Sequence, residues 1–385
     1  MENQAAVVEE NNARILYLAF ELSLKKWKLG FMDGRSPRVR VVTIPAGDLQ
    51  AVGREIQKAR KHFGMLESSR VISCYEAGRE GFWPDRALKQ IGIENHVVDA
   101  SSIKVNRRQR RAKTDRLDVE QLVKQLLRYL RGERDEMRMV RVPSLEAEDR
   151  RHLHRGLETL KEERKQHRVR IQSLLITHGI YVKVGARFSK HLGELGCWNG
   201  EPVPAQLRER IEAEYHRLQL VEVQIREIEA RQKQQLAAQV SGAAKAAVEE
   251  KVRRLGRLVG VGLGSSWIFV MELFGWRVFR NRRELAAAVG LAPSPYNSGD
   301  DVREQGISRA GNSRIRKLLI EIAWAWLRFQ PQTNLSQWYE QRFARTGKRM
   351  RRVGIVAVAR RLVIDLWRYL EEGIIPEGAK LRLAE

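Results

Sequence analysis

Four acidic residues in this chain stand where carboxylates could share a divalent cation. Glu21 follows the apolar run Ile15-Leu16-Tyr17-Leu18-Ala19-Phe20, and Glu76 follows Val71-Ile72-Ser73-Cys74-Tyr75. Asp115 and Asp118 are close together in Lys113-Thr114-Asp115-Arg116-Leu117-Asp118, so on a helix they share a face. Two strand ends and one helix face can converge on a point. Carboxylates gathered there repel one another unless a hard cation such as Mg²⁺ (or Mn²⁺) neutralises them. Such a site polarises a phosphodiester and stabilises charge on the entering and leaving oxygens. Taken alone, the Asp pair reads as solvated surface; the glutamates at strand termini turn the reading toward a metal site.

A second reactive group lies far along the chain. Ser298 sits in Pro293-Ser294-Pro295-Tyr296-Asn297-Ser298-Gly299, where two prolines and an Asn-Ser-Gly turn predict an exposed loop without regular structure. A hydroxyl beside Gly299 is sterically open, and nearby arginines could stabilise a pentavalent phosphorus. No His or Lys is adjacent to act as base, so Ser298 reads equally as a turn serine bonded to its own backbone.

Cations flank both groups. Lys104, Arg107, Arg108, Arg110, Arg111 and Lys113 precede the Asp pair, and Arg303, Arg309, Arg314, Arg316 and Lys317 follow the serine. Such runs can be solvated helix faces, but beside acids and a nucleophile they suit a phosphate backbone. The whole chain carries 71 Lys and Arg against 47 Asp and Glu, a net charge of +24, which makes a polyanion the natural partner. Only Cys74 and Cys197 occur, so neither a disulfide framework nor a zinc site is expected. Residues 1–12 are polar and acidic, unlike a signal peptide, and the apolar stretch 258–276 is interrupted by Glu272 and glycines. A cytoplasmic protein with no membrane partner is the expectation.

The elements that must position these groups can be read from periodicity. Strands are predicted at 15–21, 27–32 and 39–44, then helix 46–63, strand 71–75, helix 82–91, strand 96–99 and a helical stretch to about 131. Three strands followed by alternating helix and strand is the order of a ribonuclease H-like fold, which delivers carboxylates to one sheet edge. Beyond Pro143 the pattern turns helical. Leu145, Leu153, Leu157, Leu160, His167, Ile171 and Leu174 form one stripe; Leu207, Ile211, Tyr215, Leu218, Val221, Ile225 and Ile228 form another. These heptad-like seams predict a coiled coil, either antiparallel within the chain or between copies. The third part opens on Val259-Gly260-Val261-Gly262, where a glycine turn leading into a helix could take a phosphate or simply allow close packing. Helices are predicted at 279–290, 318–329 and 352–370. The expected class is α/β plus all-α, with domains at 1–138, 139–255 and 256–385.

With these pieces assembled, the chain resembles the DEDD-type transposases of bacterial insertion sequences, the IS-one-ten family with its IS-eleven-eleven branch. The resemblance covers most of the chain. It rests on Tyr17-Leu18-Ala19-Phe20-Glu21, Tyr75-Glu76-Ala77-Gly78 and Lys113-Thr114-Asp115-Arg116-Leu117-Asp118 in a RuvC-like part. In a C-terminal transposase part it rests on Val259-Gly260-Val261-Gly262, Ala288-Val289-Gly290-Leu291-Ala292-Pro293, Tyr296-Asn297-Ser298-Gly299 and the long block from Gly306 to Arg316. The resemblance implies that Ser298 attacks DNA and becomes covalently joined to it, while Glu21, Glu76, Asp115 and Asp118 hold Mg²⁺ beside it. It implies a structured guide (bridge) RNA that pairs with target and donor DNA. It also implies a homo-oligomer, dimer or tetramer, in which one subunit's acids complete another's serine site, working on the bacterial nucleoid. One departure is visible: the family's first acid is normally Asp, and Glu21 carries its carboxylate outward by one C–C bond, about 1.5 Å. Two other readings fit the same residues. One is a Holliday-junction-type nuclease using metal-activated water, with Ser298 structural; the other is a nucleic-acid-binding protein with a silenced site.

Overall fold

In the computed structural model the described residues are 14–103, 115–185, 188–237, 243–298 and 301–382, with 189, 243–245, 294–298 and 301–305 described by backbone alone. The chain divides into two compact units, Met1–Pro143 and Ser144–Glu385. Among the described residues no helix is long and apolar enough to cross a membrane.

The first unit is built on a mixed sheet of β1 (Ile15–Leu22), β2 (Lys26–Met32), β3 (Arg40–Pro45), β4 (Arg70–Glu76) and β5 (Glu94–Val98), with helices α1 (Leu49–His62), α2 (Trp83–Gln90) and α3 (Asp115–Leu130). Strand order is β3-β2-β1-β4-β5. The first three strands form an antiparallel meander, whereas β4 and β5 run parallel to β1. This arrangement is compatible with the ribonuclease H-like order expected from the sequence.

Alternation along the strands sorts side chains to two faces. Leu16, Leu18 and Phe20 of β1 join Trp27, Leu29, Phe31 and Tyr75 in one buried cluster with residues of α1. Ala19, Met32 and Cys74 face the other way, against Val119, Leu122, Val123, Leu126 and Leu127 of α3. The apolar stripe of α3 is thus its reason for being a packed helix, at roughly 1.5–3 kcal/mol per fully buried aliphatic side chain. Small residues set how closely it docks. A Cβ on Gly30 would stand 3.2 Å from both Cγ2 and the carbonyl oxygen of Val119. After α3 the chain returns beside β5, with Asp99 N–H donating to Arg138 O and Val140 N–H to Val97 O, which covers that sheet edge.

Among its described residues the second unit is helical apart from one hairpin and two isolated bridges. Its described helices are α4 (Leu145–Ile176), α5 (Phe188–Leu192), α6 (Ala205–Ala237), α7 (Ala243–Arg257), α8 (Leu263–Phe269), α9 (Arg282–Ala288), α10 (Ser313–Phe329), α11 (Asn334–Tyr339) and α12 (Lys348–Glu371); the strands are β6 (Pro293–Ser298) and β7 (Asp301–Ile307). Ser144 caps α4 by accepting from Ala147 N–H. The two seams meet within the chain: Leu157 packs on Val221 and Ile225, while Ile171 and Leu175 cluster with Ile211, Tyr215 and Leu218. Of the two arrangements left open by the sequence, this is the antiparallel one. Ion pairs Lys161–Glu229, Arg168–Glu222 and Arg170–Glu214 lace the hairpin across its length.

Around Trp326 the remaining helices share one core. It includes Val252 and Leu255 of α7, Phe269 of α8, Leu285 of α9, Leu319 of α10, and Val358 and Leu362 of α12.

Candidate functional site

Strand register brings the two glutamates level. Phe20 pairs with Tyr75 in the parallel β1–β4 ladder, so the next residues, Glu21 one short of the end of β1 and Glu76 at the end of β4, stand beside each other. Both belong to the alternation set of Ala19 and Cys74, and so to the face that α3 covers. Asp115 and Asp118 occupy the first turn of α3, and Val119, next to Asp118, is the residue docked over Gly30. Gly30 pairs with Ala19 and Lys28 pairs with Glu21. Lys28 Nζ in turn lies 3.9 Å from Asp115 Oδ2. The four acids therefore belong to one face and one end of the sheet.

Their chemistry is that of an oxygen-only donor set, which suits Mg²⁺ or Mn²⁺ and not a soft metal. Among the described residues, however, no three His, Cys, Asp or Glu side chains are drawn close enough together to hold one ion. The sequence argument that the Asp pair needs a cation is also softened here. Acids in the first turn of a helix are favoured by its exposed N–H groups. The basic run expected to lead nucleic acid to these acids, Arg107, Arg108, Arg110, Arg111 and Lys113, lies outside the described residues.

The serine region corrects one expectation. Residues 293–298 are not an irregular loop: Pro293–Ser298 is strand β6, antiparallel to β7, with Ser298 paired to Asp301 at the tip. Proline is tolerated because a two-stranded ribbon has edges on both sides, and a register shift between Pro293 and Pro295 absorbs the missing donors.

The base of this ribbon is locked to the helices. Gly290 (φ +68°) and Gly311 (φ +87°) both take the left-handed conformation, and a Cβ on either would overlap the backbone of the other segment, at Ala310 O and Ala288 O respectively. Ser308 N–H donates to Ala292 O (2.8 Å) and Asn312 N–H to Ala288 O (2.8 Å). Arg316 Nη1 donates to Val289 O and Ala310 O. Asn312 caps α10, accepting from Arg314 N–H and Ile315 N–H. The block from Gly306 to Arg316, singled out from the sequence, is thus first of all the root that orients the hairpin.

Beneath that root sits a group the sequence reading passed over. Glu272, in the π-helical turn Val270–Phe274 that continues α8, is 3 % exposed. It accepts hydrogen bonds from His154 Nε2 (2.9 Å), Arg155 Nε (2.7 Å), Arg155 Nη2 (3.0 Å) and Asn312 Nδ2 (3.2 Å). Burial alone would raise its pKa, but the His154 and Arg155 hydrogen bonds outweigh it and hold the carboxyl far below the usual range. Arg314, expected at a nucleic-acid surface, is engaged with Glu158 of α4. Arg309 and Lys317 are exposed. No sequence signal links His154 to Glu272, because their partnership depends on α4 folding back over the later helices.

Comparison with known proteins now places the chain. The sequence profile of the Transposase IS116/IS110/IS902 family matches residues 252–361, a span that contains Glu272, the β6–β7 hairpin and most of α12. The chain is 38% identical over 376 residues to a Sinorhizobium fredii protein named "Putative transposase y4rJ", covering 95% of this chain and 94% of that one. It is 28% identical over 307 residues to "Putative transposase y4qE" of the same organism, covering 80% of this chain and 70% of that one. To "Transposase for insertion sequence element IS1328" of Yersinia enterocolitica it is 26% identical over 225 residues, covering 58% and 63%. The chain belongs to the IS116/IS110/IS902 family of transposases.

Proposed function

We propose that this transposase cuts and rejoins DNA through a covalent serine–DNA intermediate, with Ser298 as the nucleophile and a structured guide RNA selecting target and donor. The observation that carries the reading is the hairpin: a hydroxyl-bearing residue paired at the tip of a two-stranded ribbon whose base is interlocked with α9 and α10. Such a support holds a nucleophile at a fixed point, which is what in-line attack needs.

In the proposed step the Ser298 Oγ–P bond forms as one P–O bond of the DNA backbone breaks. The serine proton leaves to solvent, and the departing strand end takes up a proton to become a hydroxyl. Attack by a different strand's hydroxyl on the phosphoserine reverses the step and joins new ends, so no nucleoside triphosphate is consumed. Glu21, Glu76, Asp115 and Asp118 are the residues that would hold Mg²⁺ or Mn²⁺. A bound ion would neutralise charge on the phosphate oxygens as they change partners. Assembly into a dimer or tetramer, with the acids of one copy serving the serine of another, completes the reading. The net charge of +24 supports nucleic acid as the partner, both donor and target DNA and the guide RNA, and a place on the nucleoid in the cytoplasm.

The test uses the full chain with the RNA that copurifies, Mg²⁺ and end-labelled DNA from the flanks of its gene. A protein–DNA adduct that survives denaturant is expected for the parent and not for Ser298→Ala. An equal yield of adduct from the variant would remove Ser298 from the role.

A further inference from the structure

Between the root of the Ser298 hairpin and the first half of α12 lies a groove of about 950 Å³. Its rims are cationic: Arg309 and Arg316 on one side, Lys348, Arg349, Arg352 and Arg360 on the other. Its floor is aliphatic, from Leu291, Ile320, Val353 and Val356. Among the described residues no acidic and no aromatic side chain lines it. The sequence reading picked out Arg309 and Arg316 but none of the cations on α12.

None of these six cations forms an ion pair with a carboxylate among the described residues. Several arginines elsewhere in this unit do have carboxylate partners, as in Arg155–Glu272, Arg168–Glu222, Arg217–Glu214 and Arg368–Glu372. Gathering six like charges around an apolar floor is unfavourable unless an anion fills the space. Burial and then the neighbouring Arg309 charge both disfavour the Arg316 cation.

A second observation is independent of charge. Arg309 is the one non-glycine residue with positive φ among the described residues, at +56°. Holding an arginine in the left-handed region costs about 1 kcal/mol or more relative to glycine, so its side chain is kept at the groove lip against local strain.

The position of α12 explains how one helix serves both a core and a groove. Ile355, Val358, Ala359 and Leu362 are buried, while Arg349, Arg352, Val353, Val356 and Arg360 follow a helical stripe on the other face. Val353 is left 49% exposed, beside the arginines.

We infer that this groove holds the sugar–phosphate backbone of one DNA strand, the strand that continues to the hairpin tip. The inference rests on the proposed role of the hairpin for its choice of DNA over RNA. Phosphates would lie along the two cationic rims and deoxyribose faces on the aliphatic floor. Six cations meet the phosphates, and with no aromatic side chain in the described lining to stack a base the groove grips the backbone, which is common to every sequence. From Pro293 to Ser298 the strand rises about 17 Å, or about five nucleotides of B-form rise, so the held phosphates flank the site of attack.

The experiment compares the parent with Arg349→Ala/Arg352→Ala/Arg360→Ala as full chains carrying their copurified RNA. Binding of a labelled single-stranded DNA oligonucleotide of arbitrary sequence is followed by anisotropy across a salt series, and RNA content by absorbance. A control variant, Lys165→Ala/Arg226→Ala/Lys233→Ala, removes the same charge from exposed positions on the α4–α6 hairpin. The groove variant should bind about a hundredfold more weakly at low salt, with its salt slope reduced by about 2, at roughly 0.7 per lost contact. RNA content and melting temperature should match the parent, and the control should change little. An unchanged slope in the groove variant, an equal loss in the control, or a loss of RNA with DNA affinity intact would each overturn the inference. Binding is read without cleavage, so failure of Ser298 to form an adduct would leave this result standing and is a separate outcome.

Discussion

Lys28 Nζ stands 3.9 Å from Asp115 Oδ2, and across the β1–β2 ladder Lys28 is the partner of Glu21. An ammonium thus already occupies the face on which the proposed metal ligands are arranged. It lowers the repulsion among the acids and competes with a divalent ion for the same charge. Both groups are partly exposed, so the pair itself is worth no more than about 0.2–1 kcal/mol. Lys28→Met should therefore shift the Mg²⁺ midpoint of a metal-dependent thermal shift about threefold lower. Asp115→Asn should abolish the shift and any DNA cleavage while leaving the metal-free melting temperature near that of the parent. A midpoint that rises in Lys28→Met would show the lysine supporting the ligands instead of competing.

The interlock at the hairpin root gives the sharpest structural prediction. Gly290 is left-handed, and a Cβ there would overlap Ala310 O and crowd the Arg316 guanidinium. Gly290→Ala should destabilise the second unit by about 2–4 kcal/mol, combining left-handed strain with a clash against backbone that cannot step aside. Gly306 is also left-handed but meets nothing within 4 Å, so Gly306→Ala should cost only the conformational term, about 1 kcal/mol. Chemical denaturation of the two variants would separate these effects. Equal losses would mean that the interlock adds nothing to φ alone.

Much of the first unit was legible because its residues are locally consistent. Each predicted strand is an apolar run bounded by turn residues, and an acid after such a run, as at Glu21 and Glu76, falls at a strand end almost by construction. The α3 stripe of Val119, Leu122, Val123 and Leu126 carried the same message for a helix. The β6–β7 hairpin was not legible, because its prolines read as loop unless the ribbon is known to have free edges on both sides. The seams of α4 and α6 announced a coiled coil but not which partner they would choose. Least visible were Glu272 with His154 and the rims of the groove, since both exist only where distant helices meet. A lone Glu in an apolar stretch, here Glu272 within 258–276, was nevertheless a signal: such a residue needs cations folded onto it.

That need sets the next expectation. Glu272 takes four hydrogen bonds from His154, Arg155 and Asn312, and it joins α4 to the cap of α10. Glu272→Gln keeps the size but removes the charge and turns an amide NH₂ toward donors. The loss should be about 2–4 kcal/mol, because the Arg155 guanidinium is left without its anion and the buried His154 ring without its charged acceptor. In a unit of this size that is a drop of about 5–15 °C in melting temperature. A melting temperature within about 1 °C of the parent would show that the network is not what holds α4 to the hairpin root.

A pH dependence follows from a further buried glutamate. Glu214 on α6 is 7% exposed and accepts from His167 Nδ1 (2.7 Å), Arg170 Nη1 (2.7 Å) and Arg217 Nη1 (2.8 Å). Burial pushes its pKa up, but the hydrogen bonds from Arg170, His167 and Arg217 together outweigh it and hold the carboxyl at about 2, against an ordinary 4.5. A carboxyl depressed on folding contributes stability that is fully present above the unfolded pKa and is lost as pH falls through the folded one. The window therefore runs from about pH 5 down to about pH 2, and the amount at neutral pH is on the order of 3 kcal/mol. Glu214→Gln should be less stable than the parent at pH 7, and the gap should close as the parent's own carboxyl is protonated. Denaturant unfolding of both proteins at intervals across that window measures it. A gap that stays constant down to pH 2 would mean the glutamate stabilises the hairpin by shape and hydrogen bonding, with its charge contributing nothing.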